Sequence, residues 1–188
     1  MDQTDLLRCV VGALEKLDLP YVLVGSIASG AYGEPRLTRD IDVVVKLPSG
    51  QVEALCEAFP SPDYDVSIEA AREAVRRGGQ FNVIHPGSGN KVDFIIARND
   101  AWGRMQMQRR QKVRVLPDLE GCAAAPEDLI LGKMLYYREG GSEKHLRDIA
   151  GVMKVSAELV DTSYVAEWAE KLGVAAIWAA ILERLGEA

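Results

Sequence analysis

The chain has 188 residues, of which 48% are hydrophobic and 27% are charged, and its net charge is −6. This length suits one large domain or two small ones, and this composition is typical of a soluble globular protein. The negative charge argues against a protein that wraps nucleic acid over its whole surface, because phosphate contacts need clustered Lys and Arg. No apolar run is long enough for a membrane span, so we expect no membrane partner.

The N-terminal segment and the cysteines indicate a cytoplasmic protein. Asp2 and Asp5 stand where a secretory signal would carry basic residues. Cys9, Cys56 and Cys122 are scattered along the chain and lack the spacing of metal ligands. Three such cysteines cannot all pair, and a reducing compartment fits them best.

The first 120 residues mix short apolar strands with helical segments. A helix with Thr4 as its N-cap is predicted to open the chain and to end before Pro20. Strands are predicted over residues 21–24, 41–46, 81–85, 91–97 and 113–116, and further helices over residues 52–59 and 68–77. Residues 27–33 are predicted to form a short helix or a turn. The turn-rich sequence PGSGN indicates a hairpin between the third and fourth of these strands.

The remainder of the chain is predicted to be helical. From Pro126 onward the apolar residues recur with helical spacing, with breaks near residues 140–141, at Asp161 and at Gly173. We therefore predict an α+β protein in which a mixed β-sheet flanked by helices occupies residues 1–120. A C-terminal helical bundle over residues 121–188 is expected to pack on this core.

Three aspartates on predicted strands form the most informative pattern of the sequence. Alternate strand residues share a face, so Asp40 and Asp42 point the same way while Ile41 packs on the other side. Asp93 faces away from its apolar neighbours Val92 and Phe94 for the same reason. If the two strands are neighbours, three carboxylates converge and need cations, and hard oxygen ligands suit Mg²⁺ or Mn²⁺.

A small-residue turn precedes the acids and is suited to phosphate. Gly25-Ser26 follows a buried strand, where backbone N–H groups and a hydroxyl can cradle phosphate oxygens. Arg36 and Arg39 fall between this turn and the acidic strand, in a position to bind a triphosphate. The alternative is that these arginines balance the charge of the adjacent aspartates.

The stretch VGSIASGAYGEPRLTRDIDVVV, followed by KVDFIIA, resembles the nucleotidyltransferase superfamily typified by DNA polymerase beta. The resemblance covers roughly the first hundred residues. It implies a nucleotidyltransferase-type mixed sheet and Mg²⁺-dependent transfer of NMP from an NTP such as ATP by a two-metal mechanism. It also implies that Asp40 and Asp42 are metal ligands. Asp93 would be the third ligand or the base that activates the acceptor hydroxyl.

Two residues of the helical half extend the candidate site. Lys133 lies in the middle of an apolar helix arc, so its ammonium must snorkel outward or meet an anion. Asp148, on the next helix, lies away from that helix's core face, and its simplest partner is Lys144 on the surface. The segment nevertheless resembles AbiEii-type toxin nucleotidyltransferases, which are bacterial proteins paired with antitoxins. That resemblance implies that Lys133 and Asp148 join the active site as catalytic residues.

The acceptor of the reaction is left open by the sequence. Residues 98–114 carry six basic side chains against one acid, which indicates either a charged edge strand or a track for an RNA backbone. An RNA or tRNA end is the first hypothesis, with a toxin-type enzyme and an antitoxin partner. The alternatives are an adenylyltransferase for an antibiotic or other small molecule, and an inactive relative that binds a nucleotide or a protein.

Overall fold

A computed structural model describes residues 1–33 and 40–186 of the protein. Its helices are α1 (Gln3–Lys16), α2 (Gly25–Tyr32), α3 (Val52–Glu57), α4 (Ile68–Arg77), α5 (Ala101–Arg109), α6 (Pro126–Gly140), α7 (Lys144–Val155), α8 (Thr162–Leu172) and α9 (Ala175–Gly186). Its strands are β1 (Tyr21–Leu23), β2 (Asp40–Val45), β3 (Asp65–Val66), β4 (Gln80–His85), β5 (Asn90–Ile96), β6 (Gln111–Leu116) and β7 (Leu119–Ala123). No helix within the described ranges is both long and apolar enough to span a membrane.

The strands form one mixed sheet in the order β3-β4-β5-β2-β1-β7-β6. Neighbouring strands β2 and β5 run parallel, as do β1 and β7, and the other pairs are antiparallel. The predicted hairpin is confirmed as β4 and β5. The predicted α+β fold class is confirmed as well, because helices flank the mixed sheet and the last four helices follow it in the chain.

One face of the central strands is packed into the core. Ile41, Val43 and Val45 of β2 are fully buried, and Phe94 of β5 is buried beside them. The Phe94 ring centroid lies 5.2 Å from that of Phe81 on β4, in a stacked arrangement. Truncating a buried phenylalanine of this kind costs about 3–5 kcal/mol of stability. This apolar face fixes the sheet, and the opposite face of β2 and β5 is left for the acids.

The C-terminal helices α6 and α8 are joined to each other and to α5 through polar contacts with two buried carboxylates. Arg109 at the end of α5 donates from Nη2 to Glu127 at 2.7 Å and from Nε to Asp128 at 3.3 Å. The Tyr164 hydroxyl of α8 donates to the other Asp128 oxygen at 2.9 Å. Asp128 is fully buried. Because each charge in this group has partners, the first turn of α6 is fastened to both α5 and α8. The expected domain boundary at residue 120 falls inside β7.

The structure differs from the predictions at the N-cap of α1 and at three elements that were not predicted, β3, α5 and β7. Asp2, not Thr4, is the N-cap of α1, because its carboxylate accepts the Asp5 N–H at 2.9 Å in a capping box. The Thr4 hydroxyl instead donates to Asp2 at 2.6 Å. Helix α5 lies within the basic segment, where no helix was predicted. Asp100 caps this helix by accepting the Gly103 N–H at 2.7 Å.

Candidate active site

The acidic residues of β2 and β5 meet at the centre of the sheet. In the parallel register, Asp42 lies opposite Asp93, and Asp40 lies opposite Lys91. Strand alternation turns these side chains away from the packed core, and all four line one cavity. The structure thus brings together the three predicted acids and adds a lysine that was not predicted.

The Gly25 turn lies directly against one of these acids. Gly25 has a left-handed φ of 61° and begins α2. A Cβ atom at Gly25 would lie only 1.9 Å from Oδ2 of Asp42. The backbone N–H of Val24 also donates to the Asp42 carbonyl at 3.0 Å. Only glycine allows this close approach, which places the N-terminal N–H groups of α2 beside the carboxylate.

Burial and like charges together raise the pKa of Asp42. Burial of the carboxyl is the largest cause, and the charges of Asp93 and Asp40 act in the same direction. Lys133 and Lys91 partly oppose the increase. A carboxylate that is repelled by its neighbours is stabilised when a cation joins the group. The site is therefore electrostatically suited to a cation.

Lys91 forms ion pairs with two of these acids. Its Nζ lies 2.8 Å from Oδ2 of Asp93 and 3.7 Å from Oδ1 of Asp40. The hydrogen bond to Asp93 is the main cause that raises the pKa of Lys91. The side chain is 37% exposed, whereas Asp93 is 17% exposed. Lys91 therefore reaches the acids from the solvent side of the cavity.

The three predicted metal ligands have the donor chemistry that a divalent ion requires. Asp40, Asp42 and Asp93 supply the oxygen donors that Mg²⁺ prefers, and their mutual repulsion favours a cation. Within residues 1–33 and 40–186, however, no three acidic, histidine or cysteine side chains already have the arrangement of a metal site. The donor atoms of these residues therefore suit a divalent ion, although one of the three carboxylates, that of Asp93, forms an ion pair with Lys91.

Lys133 and Asp148 form a nearly buried ion pair across the cavity from the sheet. The Lys133 Nζ lies 2.5 Å from Oδ2 of Asp148, and the two side chains are 5% and 9% exposed. This pair joins α6 to α7. The anion that Lys133 meets in the structure is therefore a carboxylate of the protein itself. Asp148 faces α6 instead of forming the surface pair with Lys144 that was considered first.

The cavity extends from the Gly25 turn to the two helices and has a volume of about 600 Å³. An aromatic pair forms part of its wall on the helical side. The Tyr136 and His145 rings stack with their centroids 5.8 Å apart and an interplanar angle of 22°. Tyr136 is 45% exposed. The pKa of its hydroxyl is raised, mainly because the hydroxyl is partly buried and secondly because of the charge of Asp42. Glu139 and Lys144 also line this side.

The predicted cationic residues do not gather at one place in the structure. Arg36 and Arg39 lie outside the described residues. Arg98 lines the cavity, and its guanidinium pairs with Asp100. Arg109 belongs to the buried contacts with α6, and Lys112 on the edge strand β6 lies 3.7 Å from Glu120. The basic segment is therefore distributed over a helix and an edge strand instead of forming one continuous strand.

Among the cavity residues that were not predicted, Lys91, Tyr136 and His145 differ in how visible they are in the sequence. Lys91 could have been found, because it shares a strand face with Asp93 at a spacing of two residues. Tyr136 follows Lys133 by three residues and therefore lies on the same side of α6. His145 carried no such signal, since its contact with Tyr136 depends on how α7 packs against α6.

The fold is shared with solved nucleotidyltransferase structures. The antibiotic-resistance factor ANT(2'')-Ia is 16% identical, with a TM-score of 0.55 over 100% of each chain. The lincosamide antibiotic adenylyltransferase LnuA is 12% identical, with a TM-score of 0.56 over 83% of this chain and 99% of its own. An antigenic nucleotidyltransferase-like protein from Paracoccidioides brasiliensis is 18% identical, with a TM-score of 0.55 over 95% of this chain and 91% of its own.

At these identities the likeness establishes the fold. The chain has the nucleotidyltransferase fold, and the superfamily resemblance noted from the sequence is confirmed at that level. No protein-family model matches the chain, and no curated protein matches it. The finer resemblance to AbiEii-type toxins stays a prediction.

Proposed function

We propose that the protein is a metal-dependent nucleotidyltransferase that transfers NMP from an NTP to an acceptor hydroxyl. The observation that carries this proposal is the meeting of Asp42 and Asp93 on adjacent parallel strands, with the Gly25 turn against Asp42. Acid pairs of this kind are found where divalent metal and phosphate are bound together. The fold shared with solved nucleotidyltransferases is consistent with this reaction.

The chain's own residues account for the donor half of the reaction. The N–H groups at the start of α2 and the Ser26 hydroxyl would hold phosphate oxygens of the NTP. Asp40, Asp42 and Asp93 would hold Mg²⁺ or Mn²⁺. A bound metal supplies charge neutralisation at the phosphates and lowers the pKa of the attacking hydroxyl.

The transfer itself exchanges one phosphorus–oxygen bond for another. The acceptor oxygen bonds to the α-phosphorus of the NTP, the bond to the bridging oxygen breaks, and pyrophosphate leaves. The proton of the acceptor hydroxyl passes to a base. Asp93 is the candidate for this base, as the alternative to its role as the third metal ligand. Lys133 would place a positive charge near the phosphates, and Asp148 would fix its position.

The acceptor best supported by the structure is a small hydroxylated molecule. The cavity of about 600 Å³ lies within the range of small-molecule sites and carries the acids Glu139 and Asp148. Several cations of the segment 98–114 are paired with protein carboxylates, which weakens the case for an RNA track. ANT(2'')-Ia is described as an antibiotic-resistance factor and LnuA as a lincosamide antibiotic adenylyltransferase. This chain matches both over nearly all of their length. An RNA end, a toxin role and an antitoxin partner stay predictions from the sequence.

An acceptor screen tests this proposal. The protein would be incubated with each α-labelled NTP, Mg²⁺ and either total tRNA or a panel of aminoglycosides and lincosamides. We expect label on a small molecule, and loss of that label in Asp42→Asn but not in the control Asp63→Asn, an exposed acid outside the cavity. Label on tRNA alone would replace the small-molecule acceptor with an RNA end. Equal labelling by wild type and Asp42→Asn would overturn the proposed site.

A further inference from the structure

We infer that Lys91 is an internal counter-cation that makes metal binding depend on nucleotide binding. The inference rests on the proposed function, because it concerns the same acids and the same donor nucleotide. Its basis is the position of Lys91 Nζ, which lies 2.8 Å from Asp93 and 3.7 Å from Asp40. Lys91 thus bridges two of the three acids that would hold the metal.

The backbone fixes this position. Lys91 and Asp93 are two residues apart on β5 and share its cavity face, while Lys91 pairs with Asp40 in the register of β2 and β5. The lysine therefore starts from the same strand surface as the acids. A cation placed this way can contact both carboxylates without a change in the backbone.

The acids need such a cation when no metal is bound. Asp42 is buried beside Asp93 and Asp40, and this surrounding makes its ionised form costly. An ammonium among the carboxylates offsets part of that repulsion. Lys91 therefore stabilises the folded protein in the absence of metal.

The same contact opposes a metal that arrives alone. A divalent ion on Asp93 would lie beside the Lys91 ammonium, and the two cations would repel each other. Lys91 must then leave the acids, which its flexible four-carbon stem and its 37% exposed side chain allow. Without a new anion, the displaced ammonium loses its partners and metal binding is weakened.

A triphosphate supplies that anion. When the metal arrives with an NTP, the phosphates bring negative charge into the cavity that Lys91 lines. The displaced ammonium then exchanges a carboxylate for a phosphate oxygen. By linkage, the nucleotide raises the affinity for metal by the same factor as the metal raises the affinity for nucleotide.

Calorimetry in a two-by-two design tests the inference. Mn²⁺ alone, and Mn²⁺ in the presence of a non-hydrolysable NTP analogue, would be titrated into wild type and Lys91→Gln. We expect wild type to bind Mn²⁺ weakly alone and at least about tenfold more tightly with the analogue. We expect Lys91→Gln to bind Mn²⁺ alone about tenfold more tightly than wild type, with a smaller effect of the analogue.

Two further variants and one second readout sharpen the test. Lys91→Arg keeps the positive charge and should behave like wild type, and Lys112→Gln, on the edge strand, removes an exposed lysine far from the acids. In EDTA, Lys91→Gln should melt at a lower temperature than Lys112→Gln. If Lys91→Gln does not fold, the titrations of wild type alone still test the inference. An Mn²⁺ affinity of wild type that is the same with and without the analogue overturns it.

The outcomes separate this inference from the proposed function. If wild type binds Mn²⁺ and the analogue, but Lys91→Gln binds Mn²⁺ alone no more tightly than Lys112→Gln, only the role of Lys91 is overturned. If neither wild type nor Lys91→Gln binds Mn²⁺ under any condition, the metal-dependent function is overturned as well.

Discussion

Asp42 and Asp93 lie opposite each other on two adjacent parallel strands, and the Gly25 backbone closes against the first of them. This relationship decides the properties of the site. Burial and the charge of Asp93 make the ionised form of Asp42 costly, and the turn leaves no room for Asp42 to move toward α2. Each property leads to a measurable consequence.

Replacing Gly25 by alanine should abolish nucleotide binding. The added Cβ would lie 1.9 Å from the Asp42 carboxylate, and the φ of 61° disfavours any residue with a side chain. We expect a loss of about 1–3 kcal/mol in the free energy of unfolding and no measurable heat of NTP binding. Gly12→Ala is the matched control, because a Cβ there meets nothing within 4 Å. Normal binding by Gly25→Ala would show that the turn does not hold phosphate.

The stability of the metal-free protein should depend on the ionisation of Asp42. Its pKa is raised in the folded state, so the folded protein holds this proton more tightly than the unfolded chain does. The resulting stabilisation is fully present below about pH 4, the unfolded pKa, and is lost as the pH rises through the folded value. The melting temperature of Asp42→Asn should therefore exceed that of wild type by a larger margin at pH 7 than at pH 4.

This pH prediction has an internal check. Asp63→Asn, an exposed acid, should show the same difference from wild type at both pH values. A melting temperature of Asp42→Asn that tracks wild type across the pH range would mean that the carboxylate is not destabilised by its neighbours.

Breaking the Lys133–Asp148 pair should destabilise the protein whichever partner is removed. Both side chains are nearly buried and their charged atoms lie 2.5 Å apart. Either Lys133→Met or Asp148→Leu removes a nearly buried partner from the charge that remains, which costs about 3–5 kcal/mol in such pairs. The double variant should recover much of this loss, as measured by urea denaturation. Additive losses in the double variant would contradict a direct interaction.

Arg109 should matter for stability and not for the reaction. Its guanidinium is held by Glu127 and Asp128 and lies 4.0 Å from the centroid of the Tyr164 ring. Arg109→Met leaves two buried carboxylates without this partner, and we expect a loss of about 3 kcal/mol. Arg110→Met, an exposed neighbour, should cost less than about 0.5 kcal/mol. If Arg109→Met kept full stability but lost RNA binding, the segment would be an RNA track after all.

Much of this arrangement follows from local rules in the sequence. Strand alternation placed Asp40 and Asp42 on one face and Asp93 away from the core, and the helix limits of α4 were predicted at both ends. The turn at Gly25 was recognised because small residues followed a buried strand. These features depend on neighbours within a few residues, so sequence patterns report them.

The features that were missed depend on contacts between distant segments. The parallel pairing of β2 with β5 is set by packing of the whole sheet, and with it the approach of Lys91 to Asp40. The pattern of its own helix places Asp148 away from the core, and only the family resemblance placed it beside Lys133. The direct contact between the two depends on how α7 packs against α6. Helix α5 was missed because its apolar residues show little helical periodicity, although Asp100 was a visible N-cap.

The most direct test of the central claim is calorimetry of NTP binding in the presence of Mg²⁺. We expect wild type and Asp63→Asn to bind at least one NTP, and Asp42→Asn to bind it at least about tenfold more weakly, since one proposed metal ligand is lost. Unchanged NTP affinity in Asp42→Asn would contradict the assignment of these acids to a metal–triphosphate site.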